Sequence, residues 1–222
     1  VPRASMRTPR RYTSFGVING QLYVAGGKDV SAVTRNILEM YDPATDTWVA
    51  KANMSAVRVG AMQGVINGIL YVAGGNNASG ASIATVESYN PATNKWTARA
   101  SMPVIRSFGA SAVINGILYI AGGGNGSSGS GSVLSSVYAY DPNTNTWTQK
   151  ASMPAPRGDL TGAAVNGLFY VLGGTLNGTG VDGAVSSYDP VTNTWTARST
   201  MPTPRNHVNA EVLNGEIVIP SG

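Results

Sequence analysis

The sequence predicts an all-β fold built from repeated four-stranded antiparallel units. Three observations carry that prediction. First, glycine pairs recur at Gly26-Gly27, Gly74-Gly75, Gly122-Gly123 and Gly173-Gly174, spaced 48, 48 and 51 residues, and Trp48, Trp96, Trp147 and Trp195 keep a matching rhythm. Second, an Asn-Gly dipeptide separates two apolar runs in every period, the strongest short-range hairpin signal. Third, no segment sustains a helical period of apolar residues. Tyr41, Tyr89, Tyr140 and Tyr188, and Met6, Met54, Met102, Met153 and Met201, follow the same period, so chance is a poor explanation.

Within a unit the first strand follows an arginine and ends at Asn-Gly, as at Asn19-Gly20, Asn67-Gly68, Asn115-Gly116, Asn166-Gly167 and Asn214-Gly215. Both central residues of a type I′ turn need positive φ, which Asn and Gly tolerate. The second strand, Leu22–Ala25 in the first unit and Leu70–Ala73 in the next, is apolar on both faces, as a strand covered on two sides should be. The glycine pair then allows a sharp turn or close backbone packing. A variable loop follows. The third strand ends at Tyr-Asp-Pro (Tyr-Asn-Pro in the second unit), where Asp or Asn before Pro initiates a turn holding Thr45, Thr93, Thr144 or Thr192. The fourth strand opens on the tryptophan and runs to the methionine.

Together Arg, Asn-Gly, Leu-Tyr-Val-Ala-Gly-Gly, Tyr-Asp-Pro-x-Thr-x-x-Trp and Ser-Met-Pro resemble kelch repeats over nearly the whole chain. The resemblance implies a β-propeller with one four-stranded antiparallel blade per repeat. Blades are expected at 7–54, 55–102, 103–153 and 154–201, with a partial fifth at 202–222, in one domain. Ala4-Ser5-Met6 matches the tail of a fourth strand. Three closures stay open: part of a longer propeller, of six blades by the resemblance; a five-bladed ring whose fifth blade takes the N-terminal strand; or self-association of open edges between chains. Fold alone does not fix chemistry, because propellers carry unrelated functions.

Composition narrows the classes. Charged residues are only 12%, about half the usual share, with Gly, Ser, Thr, Asn and Ala in their place. Cysteine is absent, which excludes disulfides and thiolate metal sites, and also a copper-radical centre needing a Cys–Tyr cross-link. This mix suggests a secreted bacterial protein, extracellular or periplasmic, with a cytoplasmic protein as the alternative, since those can also lack cysteine. No apolar run is long enough for a bilayer-spanning helix, no leader pattern opens the chain, and no membrane partner is expected. The net charge of +4 comes without a Lys/Arg cluster interleaved with aromatics, so nucleic acid is not an expected partner. No His or carboxylate cluster has metal-ligand spacing, and Gly-x-Gly patterns precede no helix, so neither metal nor cofactor is expected.

Residues shared by every unit point to structure, and residues of one unit point to function. Arg10, Arg58, Arg106, Arg157 and Arg205 each lie four residues after the methionine, at the entry to the innermost strand. Five guanidinium groups around a channel mouth would suit a carboxylate or other anion. The competing reading, favoured by their recurrence, is that each satisfies backbone carbonyls or a nearby acid such as Glu39 or Glu87, where Tyr138 and Ser186 stand in later units. Two positions further the units diverge, to Tyr12, Gly60, Phe108, Asp159 and His207. Tyr12 and Phe108 suit stacking on a sugar or an apolar side chain. Asp159 and His207, the only histidine, are weak candidates for acid–base work; the opposing expectation holds them wet and too far apart to touch. The loops after Gly-Gly also diverge, from Lys28-Asp29, Asn76-Asn77, Gly122–Ser132 and Thr175–Gly180. Asn53, Asn77, Asn125 and Asn177 lie in N-x-Ser/Thr triplets of little weight in so Asn-rich a chain.

The functional expectation is a non-enzymatic binding or scaffold module that presents its loops and an Arg-lined mouth to a protein or glycan. One alternative is a sugar-modifying enzyme resembling the kelch-type sialic acid epimerases. Another is a purely structural module of a larger secreted protein.

Overall fold

A computed structural model describes residues 2–126, 132–176 and 180–219. The fold is all-β, with four sheets of four antiparallel strands in sequence order. The first blade holds Ser14–Ile18, Gln21–Ala25, Leu38–Asp42 and Thr47–Lys51. Inner strands Met62–Ile66, Ala110–Ile114 and Thr161–Val165 open the next three. The fifth unit is the hairpin Glu211–Leu213 and Glu216–Val218. Among the described residues no N-terminal segment pairs with this two-stranded sheet. Residues 220–222 and the Gly/Ser stretch 127–131 lie outside the described residues.

Each Asn-Gly pair has positive φ at both residues, as at Asn19 (50°) and Gly20 (77°), which is the hairpin geometry that the dipeptide predicts. The core lies between blades. One apolar cluster joins Leu38, Met40 and Met54 of the first unit to Leu70, Val72 and Tyr89 of the second. Two further clusters repeat this between units two and three, and three and four. Covering each sheet on both faces is what makes the second strands apolar throughout.

Polar groups complete the seams. Tyr89, Tyr140 and Tyr188 are fully buried, and each donates its hydroxyl to Asn94, Asn145 or Asn193 at 2.7–2.8 Å. The same side-chain oxygen accepts the backbone N–H of Ala52, Ala100 or Ala151 in the preceding unit at 2.9 Å. Those alanines' carbonyls accept the indole N–H of Trp96, Trp147 and Trp195 at 2.7–2.8 Å. Ala4 makes the same two bonds, to Asp46 at 2.9 Å and from Trp48 at 2.8 Å, so the N-terminal segment packs as a fourth-strand tail.

Candidate functional site

Four of the five arginines turn their side chains away from the mouth. Arg58, Arg106 and Arg157 are 1%, 0% and 2% exposed, and the Arg10 side chain is 0% exposed. The expected guanidinium ring is therefore corrected in favour of the structural reading. Each side chain turns back toward the first glycine of its own unit's Gly-Gly pair. Arg10 Nε donates to the Gly26 carbonyl at 2.7 Å, Arg58 Nη1 to Gly74 at 3.2 Å, Arg106 Nη1 to Gly122 at 3.0 Å and Arg157 Nη1 to Gly173 at 3.0 Å. The carbonyls of Arg58, Arg106, Arg157 and Arg205 accept the N–H of the second glycine in the preceding unit at 2.8–2.9 Å. Four arginines thus staple consecutive blades. The physical reason is that a sharp Gly-Gly turn between blades leaves carbonyls without strand partners, and buried carbonyls need donors. Arg205 is half-buried, with its carbonyl used in the same way.

Their countercharges vary. Glu39 pairs with Arg10 at 2.8 Å and Glu87 with Arg58 at 2.7 Å. Arg106 has Ser136 Oγ at 2.8 Å and the Tyr138 ring at 5.2 Å, without a carboxylate. Burial pushes its pKa down to about 10.

The divergent positions do converge. Tyr12, Gly60, Phe108, Asp159 and His207 all have positive φ, between 52° and 64°. A run of backbone hydrogen bonds links them around the axis: Gly60 N–H to Tyr12 C=O at 2.9 Å, Phe108 N–H to Gly60 C=O at 2.7 Å, Leu160 N–H to Phe108 C=O at 3.3 Å, and His207 N–H to Asp159 C=O at 3.1 Å. This collar frames one mouth of a central cavity of about 860 Å³ lined by the inner strands of all five units. The rings of Tyr12, Phe108 and His207 meet over it at centroid separations of 5.2–5.5 Å. Gly60 makes that possible, because a Cβ there would lie 2.5 Å from the Phe108 ring. Tyr12 is 41% exposed, so the cluster faces solvent.

Asp159 and His207 touch, contrary to the expectation of separation: His207 Nε2 lies 3.1 Å from Asp159 Oδ1. Thr175 donates to Asp159 Oδ2 at 2.9 Å. Burial would raise the Asp159 pKa, but the hydrogen bond and charge of His207 and the Thr175 hydroxyl outweigh it and hold the carboxyl below its ordinary 3.8. A depressed carboxylate stabilises the folded state above its unfolded pKa, and that contribution is lost as pH falls through the folded value. An NMR titration of the Asp159 carboxyl carbon should give a midpoint below 3.8, moving upward in His207→Ala.

The loop side chains are largely spent on their own loops. Asp29 accepts from Ser31 and Val33 N–H and from Arg35 Nε at 2.7–2.9 Å. Asn77 Oδ1 accepts from Ser79 and Ala81 at 2.7–3.1 Å. Asn76 is buried against Ser82 at 3.0 Å. Asn177 lies outside the described residues. Among the described residues no group of three or more His, Asp or Glu side chains is placed to hold a metal ion, and no helix is long and apolar enough to cross a membrane.

The family model that matches over residues 14–222 is the KLHDC2/KLHL20/DRC7 Kelch-repeats domain. The chain belongs to the kelch-repeat family. Among curated relatives, the F-box/kelch-repeat protein At4g39550 of Arabidopsis thaliana is 37% identical over 51 residues, covering 23% of this chain and 13% of that protein. Alpha-scruin of Limulus polyphemus is 43% identical over 44 residues, 20% of this chain and 5% of that protein. The matches thus span a small part of those relatives' length. The solved structure of YjhT superposes with a TM-score of 0.85 at 18% identity, covering 98% of this chain and 78% of that one, and shows the shared propeller fold.

Proposed function

We propose that this kelch propeller is a non-enzymatic binding module that docks a protein partner on its mouth face, centred on Tyr12, Phe108, Asp159 and His207. The observation that carries the reading is the convergence of the unit-specific side chains on one collar while four of the five shared arginines have their side chains buried in the blades. A rigid scaffold whose varied positions gather at one solvent-facing spot is suited to recognition. The burial of the arginines removes the argument for an acidic sugar.

The test is selection from a displayed peptide library, followed by binding to a Tyr12→Asn/Phe108→Asn double variant. Asn tolerates positive φ, so the collar should persist. Selected peptides should lose binding by about tenfold or more, given typical aromatic anchor energies. Peptides that bind the variant equally well would sink this reading, and saturable binding on a glycan panel with none on peptides would replace the protein partner by a glycan.

The Asp159–His207 contact favours one second reading, a sugar-modifying enzyme using that pair for proton transfer. It requires turnover of a sugar that disappears in His207→Ala.

A further inference from the structure

Three rings and a carboxylate share the mouth. The ring pairs stand at 85° (Tyr12–Phe108), 73° (Phe108–His207) and 51° (Tyr12–His207), so the rings meet at steep angles and do not stack in one plane. Aromatic faces attract a cation within about 6 Å of the ring centroid. One such contact already exists: the Arg11 guanidinium lies 5.7 Å from the Tyr12 centroid. Asp159 stands in the same cluster, and each of its oxygens receives one side-chain hydrogen bond, from His207 and from Thr175. A carboxylate has about four acceptor positions, which leaves capacity for a further donor.

Charge around the cavity agrees. The Arg, Asp, Glu and His residues along its lining are Arg10, Arg11, Asp159, His207 and Glu211. Arg10 is committed to Glu39. That leaves two carboxylates, Asp159 and Glu211, against one exposed guanidinium, Arg11, and the imidazole. The remaining shared arginines of complete units, which would have repelled a cation at a mouth, are buried within the blades.

We propose that the mouth is a cation-recognition site, in which Tyr12, Phe108 and His207 surround, and Asp159 neutralises, an alkylammonium group such as a lysine or methyl-lysine side chain of the docked partner. This rests on the docking reading above and names the chemistry of the anchor. Gly60 contributes by bringing no side chain, leaving that quadrant to the Phe108 ring. Arg11 is the internal competitor for the Tyr12 face.

The test titrates the full chain with choline and, in parallel, with its neutral carbon analogue 3,3-dimethylbutan-1-ol, read by NMR on the ring protons of Tyr12, Phe108 and His207. Saturable choline shifts on these rings are expected, with the neutral analogue about tenfold weaker. Asp159→Asn, which suits the positive φ there, should weaken choline several-fold, and Arg11→Ala should strengthen it. Equal binding of the two probes, or no ring shifts at millimolar choline, would overturn the proposal. Peptides that bind through Tyr12 and Phe108 but carry no basic residue would likewise overturn it while leaving the docking reading in place.

Discussion

Replacing Gly26 by alanine is expected to cost about 3 kcal/mol or more, while the same change at Gly116 costs about 1–2 kcal/mol. Both glycines sit at positive φ, 64° and 77°. An L-residue in that region loses about 1–2 kcal/mol from the contact of its Cβ with its own carbonyl. At Gly116 that is the whole effect, since an added Cβ meets nothing within 4 Å. At Gly26 the added Cβ would lie 2.6 Å from the Arg58 carbonyl oxygen and 3.1 Å from Met54 Cε. Met54 can move. The Arg58 carbonyl cannot move freely, because it accepts the Gly27 N–H at 2.8 Å across the blade boundary. The alanine therefore pries apart the staple between units one and two. Urea unfolding of the two variants measures the gap, and equal losses would show that the blade boundary yields.

What the sequence made legible was local. Asn-Gly fixes a hairpin through φ alone, and the alternation around it sets the strands, so blades and seams follow from a few residues each. The recurring tyrosines and tryptophans are packing residues, but their polar atoms also need partners: the indoles donate to the carbonyls of Ala4, Ala52, Ala100 and Ala151, and the tyrosine hydroxyls to Asp46, Asn94, Asn145 and Asn193. The signal was present, since an Asp or Asn stands five residues after each of those tyrosines. The arginines illustrate the opposite case. Their place near the inner strand is readable, but which way a long side chain points depends on which carbonyls the Gly-Gly turn leaves without donors. Asp159 and His207 are 48 residues apart. Only the collar, with its unforeseen positive φ at non-glycine residues, brings their side chains together.

The buried arginines should then differ sharply among themselves. Arg58→Met is expected to cost about 3–5 kcal/mol, because it strands the Glu87 carboxylate in the blade boundary. Glu87 is 4% exposed and, among the described residues, would keep only the Ser55 N–H, at 2.9 Å. Arg106→Met strands no charge. It leaves the Gly122 and Ser136 carbonyls and the Ser136 hydroxyl without their donor, a cost of about 1–3 kcal/mol. It also removes a cation whose burial is unfavourable. The lowered pKa of Arg106, about 10 and below that of a free guanidinium, fixes the sign: between the two values the unfolded chain binds more protons, so this group makes stability rise with pH there, and at neutral pH its desolvation penalty is fully present. Methionine relieves that penalty while filling most of the volume. Arg106→Met should therefore unfold at a higher urea concentration than Arg58→Met, and adding Glu87→Gln to Arg58→Met should recover part of the loss. Equal midpoints for the two single variants, with no recovery in the double, would mean that the guanidinium–carbonyl bonds, and not the countercharge, hold these blades together.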